Sequence, residues 1–226
     1  MNAPIKLLFP LVMLFTAALH LTNAQDPLYQ AVITADLEKA EQLLASGAEL
    51  NWQAENGYTP LMLACTYSST PEFALLAEKL VAKGADLDLT AKDGTTALME
   101  AAGNSRKVFD LLLENGADLQ ARREDGTGVL RSAVFGVLSE SVPAEFIDYL
   151  LSKGLDVNES ATSGGVAGWT ALHFAAANNQ QELAGILIRH KADVNAVAGE
   201  SFTPLSLAES NGYDEMVELL KSAGAK

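Results

Sequence analysis

The sequence contains very little cysteine and histidine. One cysteine, Cys65, and three histidines occur among its 226 residues. A single cysteine cannot form an internal disulfide, and so few cysteine and histidine side chains cannot build a zinc cage. We therefore expect packing to stabilise the fold, with no metal site.

Positive charge is also scarce. The chain carries 15 Lys and Arg against 29 Asp and Glu, which gives a formal net charge of −14. This excess of negative charge argues against binding to nucleic-acid phosphates or to an anionic membrane surface. Hydrophobic residues make up 49% of the chain and charged residues 19%, a composition that excludes an intrinsically disordered protein.

A long apolar run stands at the N-terminus. Residues 7–21 follow the positive charge of Lys6 and precede a short polar stretch that ends at Ala24. The run is shorter than the ~20 residues that span a bilayer, and its flanks are typical of a cleaved secretory signal peptide. We predict a signal peptide over residues 1–24, with Ala18 as the alternative cleavage site. A membrane anchor and a buried helix are the other interpretations.

Two short motifs alternate along the rest of the chain. The first reads Gly-x-Thr-Pro-Leu-x-x-Ala or a close variant, and its copies begin at Gly57, Gly94, Gly126, Gly168 and Ser201. The second reads Gly-Ala-Asp-Leu-Asn or a close variant, and its copies begin at Gly47, Gly84, Gly116, Gly154 and Lys191, with a truncated copy at Gly224. Two motifs in one phase indicate an internal repeat, and together they resemble the ankyrin repeat family.

The resemblance implies an all-α ankyrin repeat solenoid of about six helix-pair repeats, with loops that project as β-hairpin fingers. It covers one domain, residues 25–226, whose repeats have approximate bounds of 25–55, 56–92, 93–124, 125–166, 167–199 and 200–226. Threonine is a good helix N-cap and glycine a good helix stop. The threonines predicted to cap helices are Thr59, Thr96, Thr170 and Thr203.

The fourth repeat departs from the pattern in two places. Gly128 stands where the other copies have threonine, which predicts a poorly capped helix. Gly154 and Gly168 are 14 positions apart, whereas the corresponding spacing in the other repeats is 10, so residues 159–167 contain an insertion. Neutral drift in a surface loop and an elongated finger that touches a partner both explain such an insertion.

Side chains able to perform catalysis are few. The sequence has no phosphate-binding loop, nucleophile elbow or metal-spaced cluster. Glu100 has no second carboxylate or histidine fixed near it by the repeat, and the resemblance gives His173 a structural role. Cys65 lies on an apolar helix without a basic neighbour, which predicts a buried and unreactive thiol. We therefore predict no catalytic, metal or cofactor site, and a protein that is not an enzyme.

The resemblance places a protein-binding surface on the fingers and on the exposed ends of the first helices. Aromatic residues are frequent there and often form interface hot spots. The alternative is that these rings pack one finger against another. The predicted partner-binding residues are Trp52, Glu55, Asn56, Tyr58, Tyr67, Lys92, Asp93, Thr95, Asn104, Arg123, Glu124, Asp125, Trp169, Asn178, Glu200 and Phe202.

These observations predict a monomeric, non-enzymatic scaffold that binds another protein in the periplasm. A basic partner would suit the negative charge, whereas nucleic acid and, after signal cleavage, membrane are not expected. Similar signal-bearing ankyrin proteins of Gram-negative bacteria suggest two roles: support of a periplasmic enzyme such as a catalase, or immunity against a secreted toxin. An enzyme with a loop-borne site is a remote alternative.

Overall fold

A computed structural model describes residues 26–199 and 201–226. The chain divides into two compact units, the first ending at Leu119 and the second beginning at Gln120. The predicted signal peptide and one predicted binding residue, Glu200, lie outside the described residues. Among the residues that are described, no helix combines the length and the hydrophobicity needed to cross a membrane.

The first unit consists of three helix pairs. The helices are α1 (Pro27–Ile33), α2 (Leu37–Ala45), α3 (Pro60–Thr66), α4 (Pro71–Ala82), α5 (Ala97–Asn104) and α6 (Arg106–Glu114). The first helices of the pairs pack side by side in the order α1, α3, α5, and the second helices pack in the order α2, α4, α6. The result is two helical layers that share one apolar core.

The second unit repeats this arrangement. Its helices are α7 (Val129–Leu138), α8 (Glu145–Ser152), α9 (Ala171–Ala177), α10 (Gln181–Arg189), α11 (Pro204–Ser210) and α12 (Asp214–Ser222). The first helices α7, α9 and α11 form one layer, and the second helices α8, α10 and α12 form the other. The all-helical class that the sequence predicts is confirmed for the described residues.

Large apolar side chains fill the space between the layers. Phe109 and Leu112 are fully buried in the first unit, as are Ile147 and Leu172 in the second. Burying one such side chain contributes roughly 1.5–3 kcal/mol. The single cysteine, Cys65, is free and serves as one more buried residue of this core.

The predicted helix starts and stops are confirmed. Thr59 and Thr96 accept hydrogen bonds from the amide of the third helical residue, over 3.1 and 3.3 Å. Thr170 and Thr203 form capping boxes with His173 and Ser206. At the other end of a helix, Gly116 has φ of 97°, in the left-handed region that glycine reaches without strain.

The loops between the pairs are tight turns, and their β-hairpin form is not confirmed. In the turn from Ala54 to Tyr58, one backbone hydrogen bond of 2.9 Å, from the Ala54 amide to the Tyr58 carbonyl, closes the loop. Within the described residues no strand forms, and the only isolated β-bridge joins Ala198 to Phe202. The turns are too short to extend a ladder.

Candidate protein-binding surface

Each turn is tied to the next turn of its own unit by a side chain from the second motif. The last Asn or Asp of one motif accepts a hydrogen bond from a backbone amide of the following copy. The four bonds, each 2.9 Å long, join Asn51 to Asp86, Asp88 to Asp118, Asn158 to Asp193 and Asn195 to Lys226. This ladder explains why the motif ends in a short side chain that accepts hydrogen bonds.

Adjacent turns also approach each other closely through their backbones. The Lys92 amide donates to the Asn56 carbonyl over 3.0 Å. A side chain at Gly57 would come within 2.8 Å of the Lys92 nitrogen, so this position requires glycine both for its φ of 85° and for the contact. Glycine is therefore required at position 57 because the next turn lies directly against it.

Charged side chains project from the tips of these turns. Glu55, Lys92, Asp93 and Glu124 are exposed. Asp93 also accepts the Thr95 amide over 3.0 Å, which shapes the turn. Thr95 itself is only 2% exposed, so it presents almost no side chain to a partner.

Asp125 is held as an anion at the next turn. It accepts hydrogen bonds from the Thr127 amide and hydroxyl over 3.0 and 2.6 Å. Partial burial opposes its charge, but these hydrogen bonds and the nearby positive charges of Arg131 and Arg123 lower the pKa of Asp125. Arg123 is itself fixed, because its guanidinium donates to Ser132 Oγ over 2.8 Å.

The aromatic residues predicted in the first unit are half-buried. The Trp52 ring meets Tyr29 edge-on at a centroid distance of 5.2 Å. Tyr67 packs against Phe73 at 5.1 Å. Each ring thus contacts the fold and also reaches the surface. The two interpretations offered by the sequence, packing and partner contact, are compatible at these positions.

Glu100 lies at the centre of a hydrogen-bond network on α5. Its carboxylate accepts from the Tyr58 hydroxyl over 2.7 Å and from the Thr66 hydroxyl over 3.1 Å. The predicted residue Asn104 is engaged nearby, since its amide donates to the Glu100 carbonyl over 2.8 Å. The carboxylate thereby ties the turn residue Tyr58 and Thr66 at the end of α3 to α5.

Cys65 is unreactive, as predicted. Complete burial raises the pKa of its thiol well above the usual value, and the negative charge of Glu100 adds to the effect. The reactive thiolate is therefore not available near neutral pH. Among the described residues, no group of three or more His, Cys, Asp and Glu side chains is arranged to hold a metal ion.

In the second unit, Trp169 belongs to an aromatic cluster with a cation at its centre. The Trp169 ring lies 5.0 Å from that of Phe174, which in turn lies 5.1 Å from Phe135. The Arg131 guanidinium carbon stands 4.9 Å from the Phe174 centroid and 5.3 Å from the Phe135 centroid. Sequence reasoning missed the half-buried Arg131 and Phe135 as surface candidates, although their spacing places both on one helix face.

His173 has the predicted structural role. The Thr170 amide donates to its Nδ1 over 3.1 Å, which leaves the proton on Nε2 to donate to the Phe202 carbonyl at 3.1 Å. Burial lowers the pKa of His173 below its usual value, which favours this neutral state. The histidine thereby joins α9 to the turn that carries Phe202.

Phe202 and its neighbour Val197 are the most exposed large apolar side chains of the described residues. Phe202 is 51% exposed and Val197 is 62% exposed, at the turn before α11. Val197 was not predicted, and no motif marks it. The side chain of Asn178, a predicted binding residue, already makes one hydrogen bond within the fold: its amide donates to the Phe174 carbonyl over 2.9 Å.

The inserted loop after α8 is folded against the preceding turn of its own unit. The Thr162 amide donates to the Asp125 carbonyl over 2.8 Å, and Glu159 Oε1 accepts the Gly128 amide over 2.9 Å. The loop is thus tied to the turn before α7 and does not stand out as an elongated finger.

Comparisons with known proteins agree with this architecture. A family model described as "Ankyrin repeats (3 copies)" matches residues 28–123 and 137–226. The nuclear factor NF-kappa-B p105 subunit of Gallus gallus is 29% identical over 202 residues, which cover 89% of this chain but only 16% of that protein's length.

Two solved structures have the same fold. The human ASB11 ankyrin repeat domain matches with a TM-score of 0.72 and 24% identity, covering 89% of this chain and 85% of that chain. The ankyrin repeat domain of Bcl-3, a member of the IkappaB protein family, matches with a TM-score of 0.67 and 28% identity, covering 91% and 89%.

Proposed function

This chain belongs to the ankyrin repeat family, and from that premise we propose that it is a non-enzymatic scaffold that binds another protein through its turn tips and first helices. The exposed Phe202 and Val197 carry this proposal, because both present large apolar side chains to solvent at the turn before α11. Aromatic side chains on rigid frames make strong interface anchors at low entropic cost. Exposed charged tips of the same unit, such as Glu124, would form the polar rim.

We propose a basic partner. Residues 26–119 contain 15 acidic and 6 basic side chains, and 6 − 15 gives a charge of −9 for this stretch. Exposed acidic tips would steer a basic protein toward the surface and would disfavour acidic competitors.

We further propose that the protein acts in a bacterial periplasm, after export through the N-terminal signal peptide. Support of a periplasmic enzyme such as a catalase is the first role. Neutralisation of a secreted toxin is the second, and the acidic charge favours it where the toxin has a basic active-site cleft.

Capture from the native compartment tests the proposal. The exported protein is tagged, recovered with its bound proteins and compared with Phe202→Ala. A matched control is Leu75→Ala, which truncates a partly exposed apolar side chain on α4, away from the turns. We expect one protein to be enriched by the wild type and by the control but lost with Phe202→Ala. Equal loss with Leu75→Ala would place the interface elsewhere.

A further inference from the structure

A small cavity lies beside the first turn of α7, within the second unit. Its volume is about 10 Å³, and apolar side chains of α7 and α9 form most of its wall together with Trp169. Two charged side chains, Arg131 and Glu159, also line it. At the cavity, residues of the aromatic cluster meet Glu159 of the inserted loop.

Each of the two charged groups has a buried atom without a hydrogen-bond partner. These atoms are Arg131 Nη1, which is a donor, and Glu159 Oε2, which is an acceptor. The Glu159 side chain is only 6% exposed, and Oε2 stands 3.7 Å from Arg122 Nε, too far for a hydrogen bond. Buried polar atoms in native proteins nearly always have a partner, either protein or ordered water.

We propose that this cavity is a binding site for one structural water that bridges Arg131 Nη1 and Glu159 Oε2. A water molecule accepts from the guanidinium and donates to the carboxylate at the same time. A monatomic cation would be repelled by Arg131, and an anion by Glu159. The volume is close to the lower limit of roughly 10–15 Å³ for holding one water, so a larger ligand does not fit.

The bridging water links the inserted loop to α7 at a second point. Glu159 Oε1 already accepts the Gly128 amide, and the water connects Oε2 to a side chain one turn further along the helix. Burial raises the pKa of Glu159, and a hydrogen bond donated to Oε2 favours the charged carboxylate that the Gly128 amide also requires. The site thus completes the hydrogen bonding of a carboxylate that the fold has removed from solvent.

A crystal structure of the full-length protein, at a resolution that orders individual waters, tests the site. We expect a density peak within hydrogen-bond distance, about 2.7–3.2 Å, of both atoms. In solution, a long-lived water should give a nuclear Overhauser cross-peak to the Arg131 amide proton. A dry cavity, or a direct hydrogen bond between Arg131 and Glu159, overturns the proposal.

Two variants make the test specific. Arg131→Met combined with Glu159→Leu removes both polar atoms and leaves an apolar cavity, which stays dry. The cross-peak should be lost in this double variant. Arg122→Met is the matched control, since it removes a neighbouring positive charge but keeps both bridging atoms, and it should retain the cross-peak. A cross-peak that persists in the double variant would mean that the water is held by other groups.

Discussion

At the start of α7, a carboxylate from a distant loop accepts the N-cap amide, a role that the third helical side chain has in α9 and α11. In α9 and α11 the N-cap threonine side chain accepts a hydrogen bond from the amide of the third helical residue. The side chain of that third residue, His173 or Ser206, accepts a hydrogen bond from the N-cap amide. In α7 the N-cap is Gly128 and the third helical residue is Arg131, which can only donate. Glu159 supplies an acceptor for the Gly128 amide from a loop 31 residues away.

Removing this carboxylate should destabilise the second unit. Glu159→Ala leaves the Gly128 amide buried without a partner and removes the opposite charge near Arg122 and Arg131, so we expect a loss of about 1–3 kcal/mol in the free energy of unfolding. Urea denaturation measures it. Glu218→Ala, which removes an exposed carboxylate from α12, should change stability by less than about 0.5 kcal/mol. Equal effects of the two variants would contradict the capping role.

His173 should make the fold sensitive to mild acid. Its pKa is lowered in the folded protein, so the unfolded chain binds a proton first as the pH falls. The stability provided by neutral His173 is complete above the unfolded pKa of about 6.5 and is lost progressively below it. Urea midpoints measured from pH 7.5 downward should fall more steeply for the wild type than for His173→Gln. A parallel pH dependence in both proteins would exclude His173 as the cause.

At the scale of the elements, the sequence predicts the ends of a helix correctly where those ends depend on residues close by in the chain. The threonine caps and glycine stops depend on residues within one turn of the helix, and those predictions are confirmed. The path of loop 159–167 depends on Asp125 and Gly128, more than 30 residues earlier, and no local signal reports such a contact. For the same reason the sequence identified Trp169 but not the Arg131 cluster around it.

The predicted binding residues illustrate the same limit. A repeat motif places Thr95 at a turn, but it does not show that this side chain is buried in the fold. Conversely, no motif marks Val197, which is 62% exposed at the turn before α11. Which side chains belong to a turn is a local property, whereas their exposure depends on how successive turns stack.

Hydrogen exchange should reveal the coupling between loop 159–167 and α7. In Glu159→Ala we expect faster exchange at the first-turn amides of α7 and at the Thr162 amide, which donates to the Asp125 carbonyl. Protection at the start of α11 should be unchanged, because Thr203 and Ser206 cap that helix locally. Faster exchange in both helices would indicate a general loss of stability and not the loss of one link.

At the scale of the whole molecule, the dominant property is the formal net charge of −14. Its electrostatic field acts on a partner before any side chains are in contact. Exposed charges raise the rate of encounter with an oppositely charged partner, and salt reduces this effect once separations exceed the Debye length of about 8 Å at 0.15 M. Apolar anchors such as Phe202 act only after encounter, mainly on the dissociation rate. The two contributions can therefore be separated kinetically.

The proposed basic partner leads to a kinetic prediction for the captured complex. Reversing two exposed tip charges, Glu55→Lys and Glu124→Lys, should lower the association rate constant about tenfold at low ionic strength, with the difference shrinking as salt is added. Surface plasmon resonance over a salt series measures both rate constants.

The matched control, Glu114→Lys with Glu218→Lys, makes the same change in net charge at exposed positions on α6 and α12. If the control slows association as much as the tip variant does, net charge alone steers the partner and the turn tips are not the docking surface. An association rate that salt does not change in the wild type would instead show that the partner is not basic.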